Sequence, residues 1–371
     1  MRIFDASSRS TIEESGKAER RMSEQFFTLT PDIIFQAASD CGFVTTGHCL
    51  ALNSYENRVF DLKTEEGPGI IMKFYRPGRW SRAQIEEEHS FLFELREGEI
   101  PVCAPYCFEG KQSVREICGI YYAVWPKTGG RSADEFSDTQ LAMLGRLIAR
   151  IHNTGDAKKS EYRRSLTGTT YARAPLEFLL QNDFIPDLLR TRYSAAVNEL
   201  AQIYDTLSQG VPFHRIHGDC HQGNLLYGND GWFFLDFDDF LTGPAVQDIW
   251  MFVPVTDREG LRQREILLEG YRQFRPFENS WLRLVEPLRA LRYIHYSAWI
   301  AKRWNDPAFA AIFPHFGTHE YWQEQTEDLE KQLELIRSGK AEVQHGIREE
   351  GGEASSEEEL SNKDLFWDWE E

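Results

Sequence analysis

Apolar positions along this chain follow two different rhythms. From Phe26 to Pro126 they come in short runs broken by polar turns, and from Leu141 onward they recur at helical spacing. Thr30-Pro31-Asp32 predicts a capped helix through Ile33, Ile34, Ala37 and Ala38, stopped at Gly42. Leu50 to Leu62 reads as strand, polar turn and strand, with Asn53-Ser54-Tyr55-Glu56-Asn57 as the turn. Gly67-Pro68-Gly69 leads into a third strand, Ile70 to Tyr75, which holds one lysine, Lys73, among apolar residues. Ser81 caps a helix carrying Ile85, Glu88, Phe91, Leu92 and Leu95. Strand-like segments follow at 102–108 and at Ile120 to Trp125, ending at Pro126, and Lys127 to Arg131 reads as a linker. Beyond it, Leu141, Leu144, Ile148 and Ile151 share one helical face, and further helices are expected at 187–208, 259–274, 281–304 and 319–337. Between them Val211, Phe213 and Ile216 lead into a polar loop. A hairpin follows, through Leu225 to Tyr227, Gly228-Asn229-Asp230-Gly231 and Trp232 to Leu235.

The termini depart from this pattern. Residues 1–26 are Ser/Glu/Arg-rich and are expected to form a disordered extension. Residues 339–371 hold eleven acids against Lys340, Arg348 and Lys363, so this acidic tail accounts for −8 of the net −18 and is also expected to be disordered. It ends in Phe366-Trp367-Asp368-Trp369, which reads as a docking peptide more than a structural element. Such a tail could fold back on an arginine-bearing surface, bind a partner, or do neither.

Composition narrows the function classes. Apolar residues make up 41% of the 371 positions, enough for a large core, while an acidic chain without a basic block is a poor match for nucleic acid or an anionic membrane. No apolar run approaches the roughly 18–20 residues needed to span a bilayer, and the first residues lack the apolar core of a signal peptide. A cytoplasmic monomer is expected. Six cysteines are too sparse for a disulfide scaffold and read as reduced thiols; Cys103 and Cys107 carry only a weak zinc spacing.

The stretch His217-Gly218-Asp219-Cys220-His221-Gln222-Gly223-Asn224 carries the chemistry, together with Leu235-Asp236-Phe237-Asp238 after the hairpin. A phosphoryl-transfer site needs oxygen ligands for a divalent cation and one carboxylate to take the proton of the attacking hydroxyl. Asp219 and Asn224 keep the spacing of five found between base and metal-binding Asn in kinase catalytic loops, and Asp236-Phe237 matches the Asp-Phe that follows the hairpin there. Lys73 is the candidate for holding the α- and β-phosphates, and Glu88, on the inward edge of its helix, is its expected carboxylate partner. No G-x-G-x-x-G or Walker sequence occurs, so the lid over the phosphates falls to the turn around Ser54 and Asn57. Val124 and Trp125, before Pro126, are expected at the adenine edge. His217 and His221, spaced by four on a loop, are expected to order that loop, and Asp248 to cap a helix or accept hydrogen bonds from loop amides. Arg289, Arg292, Tyr296, Trp299 and Arg303 form a stripe expected near the acceptor, where a plain packed helix with paired arginines is the alternative.

The loop His-Gly-Asp-x-His-x-Gly-Asn resembles the aminoglycoside/choline phosphotransferase branch of the protein-kinase-like fold. Leu52–Arg58, Lys73–Trp80, Gly243–Trp250, Glu286–Arg289 and Trp304–Phe309 resemble the bacterial stress response kinases of the RdoA/YihE type over roughly residues 27–335. The resemblance implies a Mg²⁺-ATP-dependent Ser/Thr protein kinase of stress response. It implies Asp219 as proton acceptor, Asn224 and Asp236 as Mg²⁺ ligands, and Ser54 at the ATP lid. Gly218 and His221 depart from eukaryotic protein kinases, which have Arg and Lys there, so the loop itself is that of small-molecule kinases.

The expected architecture is therefore α+β and bilobal, with a small β-rich N-lobe at 27–126, a helical C-lobe at 127–338, and a nucleotide cleft between them. Two rivals remain: a small-molecule hydroxyl kinase, which predicts an acidic or aromatic acceptor pocket beside Asp219, and a pseudokinase scaffold, which measurable Mg²⁺-ATP turnover would remove.

Overall fold

The structure is a computed structural model that describes residues 26, 28–52, 54, 56–132, 135–228, 231–254 and 256–347. Residues 1–25 and 348–371 lie outside the described residues, and so do Asn53, Tyr55, Asn229 and Asp230 of the two expected turns. The chain divides into two compact units, 1–130 and 131–371.

In the first unit, α1 (Pro31–Asp40) starts at Thr30, whose hydroxyl accepts from the Ile33 amide as Pro31 sets the first helical turn. Strands β1 (Thr45–Leu52), β2 (Arg58–Thr64), β3 (Ile70–Phe74), β4 (Arg115–Ile117) and β5 (Ile120–Pro126) form an antiparallel sheet in the order β1-β2-β3-β5-β4. Alternation along β3 and β5 sends Met72, Phe74, Tyr122 and Val124 to one face, against Ile34, Ala37 and Ala38 of α1. On the other face Ala123, Trp125 and the adjoining Tyr75 pack with Ile85 of α2 (Arg82–Glu97), which begins in a Ser81–Gln84 capping box. Lys73 belongs to this second face by the same alternation, paired in register with Val59 and Ala123. The strand expected at 102–108 is not formed. Tyr106 instead donates its amide to the Val124 carbonyl as an extended segment, and the edge position is taken by β4, whose short polar sequence gave no alternation to read.

In the second unit, α3 (Asp138–Asp156), capped by Ser137 and Gln140, is the central post. It is followed by a π turn at Thr169–Arg173, α4 (Ala174–Gln181), α5 (Asp187–Leu207) and β6 (Phe213–Ile216). Then come β7 (Leu225–Gly228), β8 (Gly231–Phe234), β9 (Leu241–Pro244) and α6 (Val246–Phe252). The remaining helices are α7 (Arg258–Arg272), α8 (Val285–Arg303), α9 (Pro307–Ile312), α10 (His319–Arg337) and α11 (Lys340–Gln344). Gly145 of α3 and Gly270 of α7 let the two helices touch backbone to backbone: a Cβ at either would overlap a carbonyl of the other helix. Strands β6 and β9 pair antiparallel with Ile216 opposite Leu241, while β7 and β8 form the expected hairpin. The loops 217–224 and 235–240 thus leave the same end of one ribbon.

The boundary expected after Ser338 falls too early. Lys340–Gln344 is helical, and Ala341 and His345 are buried. The His345 ring accepts from Arg264 at Nδ1 (2.9 Å), so its Nε2 carries the proton given to Glu286 (2.8 Å), and Arg264 also donates to the His345 carbonyl (2.9 Å). Sequence offered no sign of this clasp, because one histidine and one alanine make no apolar pattern.

A chain ending at Ser338 leaves Glu286 and Arg264 buried without His345, a loss on the order of 3 kcal/mol for a broken buried polar set. Its thermal midpoint should fall by roughly 5–10 °C relative to the full chain, while a chain ending at Ile347 keeps the full-length value. Equal midpoints for both truncations in a circular-dichroism melt would refute the clasp.

Candidate active site

The loop after β6 is held by a single carboxylate. Asp248 Oδ2 accepts the His217 amide (2.9 Å) and Oδ1 the Gly218 amide (2.9 Å). Behind it, His152 Nε2 lies 3.0 Å from Asp248 Oδ2 and His152 Nδ1 lies 2.8 Å from the Tyr271 hydroxyl, so Nε2 donates to the carboxylate and Nδ1 accepts from Tyr271. Burial lowers the pKa of His152 against the pull of Asp248, which keeps the ring neutral in this role. Gln247 donates to the Gly218 carbonyl (3.1 Å) and is itself fixed by Trp250 Nε1 (3.1 Å). Gly218 has φ +84°, and a Cβ there would run into the Asp239 carbonyl, so this position requires glycine.

His217 links the two functional loops. Its Nδ1 accepts from the Asp219 amide (3.3 Å), which leaves Nε2–H to donate to the Leu235 carbonyl (2.8 Å), and its ring packs 4.3 Å from that of Phe237. His221 Nδ1 accepts from the Gly223 amide (3.0 Å), and its Nε2 stands 3.5 Å from Asp219 Oδ2. Asn224 donates from Nδ2 to the Asp219 carbonyl (2.9 Å), and its own carbonyl accepts from the Leu235 amide (2.9 Å). That last bond sets Asp236 beside Asn224, as the hairpin spacing requires. Asp236 adopts φ 52° and ψ 64°, a left-handed conformation that aspartate tolerates better than most residues and that turns its side chain out of strand register.

Asn224 and Asp236 offer hard oxygen donors. Both Asn224 Nδ2 contacts, to the Asp219 carbonyl and to Asp219 Oδ2 (3.4 Å), orient the amide so that its oxygen remains for another partner. This donor set fits Mg²⁺, which takes one or two side-chain oxygens and fills its other positions with phosphate and water. Among the described residues no group of three or more His, Cys, Asp and Glu is placed to hold a metal ion.

Asp219 is paired with Arg292 of α8, Nη2 to Oδ1 at 3.0 Å. Burial works against its charged form, but the Arg292 guanidinium, followed by the hydrogen bond from His221, holds its pKa well below the usual carboxylate range. Of the remaining arginines of the α8 stripe, Arg289 pairs with the acid Glu286 and donates to the Pro254 carbonyl, whereas Arg303 donates to the Trp299 carbonyl. Cys220, next to Asp219, is buried, and burial followed by the charges of Asp248 and Asp219 raises its thiol pKa well above the ordinary value.

The remaining candidates lie in the first unit. Lys73 is buried, with Nζ 5.3 Å from the Tyr75 ring and 5.9 Å from that of Trp125. Glu88 is buried on the α2 face beside His89, whose ring bonds the Tyr75 hydroxyl (2.9 Å) and Ser113 (2.8 Å). Ser54 Oγ accepts from the Asn57 amide (3.3 Å), and Asn57 Oδ1 from the Arg76 amide (3.2 Å), which closes the turn into a small hydrogen-bonded unit. The Val124 carbonyl is occupied by Tyr106, and Lys127 Nζ is tied to Asp61 Oδ2 at 2.5 Å. Sequence reasoning did not find Gln247, His152 or Tyr271, nor Arg292 as the partner of Asp219.

This arrangement is that of a phosphotransferase: the chain belongs to the phosphotransferase enzyme family (APH), whose profile matches residues 48–285. It is 37% identical to Stress response kinase A of Escherichia coli (strain K12) over 84% of this chain and 95% of that protein. It is 36% identical to the Serine/threonine protein kinase RdoA of Salmonella typhimurium (strain LT2), over 84% and 94% respectively. Among solved structures, the amicoumacin kinase hAmiN in complex with AMP-PNP, Ca²⁺ and Ami shares the fold at TM-score 0.65 and 20% identity, over 85% of this chain and 96% of that one. A microcompartment-associated aminopropanol kinase does so at TM-score 0.61 and 17% identity, over 85% and 98%. The protein-kinase-like α+β class is thereby established, and the chain is a kinase.

Arg292→Gln removes the strongest attraction on the Asp219 carboxylate. Its pKa, depressed in the native protein, should rise, so the acid limb of the kcat/KM profile should move to higher pH than in the native enzyme. The stability contributed by the pair is present above the unfolded carboxylate pKa of about 3.9 and is lost as pH falls through the folded value. An unmoved acid limb would show that Arg292 does not set the ionisation of Asp219.

Proposed function

We propose that this kinase transfers the γ-phosphoryl group of Mg²⁺-ATP to Ser/Thr hydroxyls of proteins, in a stress response. The observation that carries the reading is Arg292 of α8 at Asp219, with the cationic and aromatic stripe that continues from it along the helix. Arg292 pairs with the carboxylate, Tyr296 and Trp299 stack at 5.4 Å, and Arg303 lies 4.7 Å over Trp299. Arg, Tyr and Trp are the residues enriched at protein-binding surfaces. The guanidinium groups of Arg292 and Arg303 disfavour a cationic amino alcohol or aminoglycoside there, whereas the aromatic pair suits either acceptor. The names of the relatives point the same way.

In this reading Asp219 orients the acceptor hydroxyl and takes its proton, while Asn224 and Asp236 hold the cation, which when bound neutralises charge on the polyphosphate. In the first unit, Lys73, supported by Glu88, orients the phosphates, Ser54 and Asn57 form the lid, and Val124 and Trp125 border the adenine. His217, His221 and Asp248 keep the loop in its working geometry. Catalysis is then positioning and electrostatics rather than covalent chemistry. A small-molecule acceptor is the second reading, favoured by Gly218 and His221 in the loop and by the solved neighbours, an amicoumacin kinase and an aminopropanol kinase.

Incubation with Mg²⁺ and γ-³²P-ATP, alone and with cell lysate, separates the readings, since label appears in protein bands or in a soluble metabolite. Asp219→Ala should lower turnover by about 10²–10⁴ with ATP affinity largely kept, whereas Asp236→Ala should weaken Mg²⁺-ATP binding as well. Near-native phosphorylation by Asp219→Ala would remove it from the proton-accepting role.

A further inference from the structure

The stripe on α8 is a cationic surface in a strongly acidic protein. Arg292, Tyr296, Trp299 and Arg303 succeed one another at three- and four-residue spacing, so they lie along one side of the helix, with Arg292 at Asp219. Lys302 is exposed, and Arg164, Arg292 and Arg303 are partly exposed. Burial, followed by the charges of Arg164, Lys302, Arg292 and Arg303, lowers the pKa of His295, which stacks on Tyr171 at 4.3 Å, so these cations share one neighbourhood along the helix that starts from Arg292. The acids of this region, Asp219, Asp236, Asp238 and Asp239, belong to the two functional loops rather than to the helix.

An occupant of opposite character lies in the same chain. Residues 348–371 carry ten acids against Arg348 and Lys363, close on Phe366-Trp367-Asp368-Trp369, and hold Ser355-Ser356 directly before Glu357-Glu358-Glu359. The point of attachment is fixed: His345 is bonded to Glu286, at the start of the helix that bears Arg292 six residues later. Six helical residues rise about 9 Å. The ten residues from His345 to Ser355 extend to at most about 36 Å. The two serines are therefore within reach of Asp219 on their own chain.

We infer that the acidic C-terminal segment is an intramolecular substrate: it lies along the Arg292–Arg303 face of α8, draws Arg292 from Asp219 with its glutamates, and presents Ser355 or Ser356 for phosphorylation. The inference rests on the protein-hydroxyl reading above. In the step, the serine Oγ forms a bond to the γ-phosphorus of ATP, the bond from that phosphorus to the β–γ bridging oxygen breaks, ADP leaves, and the hydroxyl proton passes to Asp219. Before modification the segment competes with acceptors in trans.

The test uses the full chain, a Ser355→Ala/Ser356→Ala variant and a chain ending at Ile347, which keeps the His345 clasp. Each is incubated with Mg²⁺-ATP, mapped by mass spectrometry, and assayed on a synthetic peptide with one serine flanked by glutamates. The expected result is phosphate on Ser355 or Ser356 of the full chain, formed at a specific rate independent of enzyme concentration. The truncated chain should use the peptide with a KM about tenfold lower, the size of one charge-assisted contact set. Arg303→Gln should slow tail labelling relative to peptide labelling. Label that leaves both serines empty while the peptide is phosphorylated overturns the inference and spares the protein-kinase reading. So does tail labelling whose specific rate rises with enzyme concentration, or an unchanged peptide KM on truncation. Label found only in a soluble metabolite overturns both.

Discussion

The catalytic loop depends on one buried carboxylate. Asp248 binds two successive backbone amides, those of His217 and Gly218, that would otherwise be stranded as the chain leaves β6. A buried amide without a partner costs a sizeable fraction of a domain's net stability, so the loop conformation and the Asp248 side chain stand or fall together. His152 and Tyr271 extend the bond inward to α3 and α7, the two helices locked by Gly145 and Gly270. The position of Asp219 is thus referred to the close backbone contact between α3 and α7 rather than to the loop's own sequence.

Much of this was legible in the sequence, for a physical reason. The Asp219/Asn224 spacing and the following hairpin are local, and local geometry is set by turn residues and strand alternation that can be read directly. Thr30 and Ser81 capped helices for the same reason. What escaped was closure across sequence distance. Gln247 and Asp248 sit side by side, yet only Asp248 drew notice, since an amide in an apolar helix carries no signal of the carbonyl it will meet. The π turn and α4 lie where the sequence shows no sustained period, β4 has only Arg115-Glu116-Ile117, and α11 is held by His345 rather than by an apolar stripe.

The stripe on α8 shows how one pattern can hold two answers. Read by spacing, Arg289, Arg292 and Arg303 are equivalent; in the fold they part company, with Arg289 serving Glu286 and Trp250 inside the helical packing and Arg292 reaching the carboxylate of Asp219. Arginine suits both tasks because its planar fork can bond and stack at once.

Cys220 stands between Asp219 and His221 in sequence, where a thiol would ordinarily suggest a redox handle on activity. Its burial and raised pKa keep it protonated, and a thiol rather than a thiolate is a poor nucleophile toward peroxide or alkylating reagents. Oxidants would meet Cys107 and Cys118 first, both exposed in the first unit and neither adjoining the catalytic loop in sequence. The loop that carries Asp219 is by this arrangement chemically insulated, with its own thiol held in the form least open to oxidation.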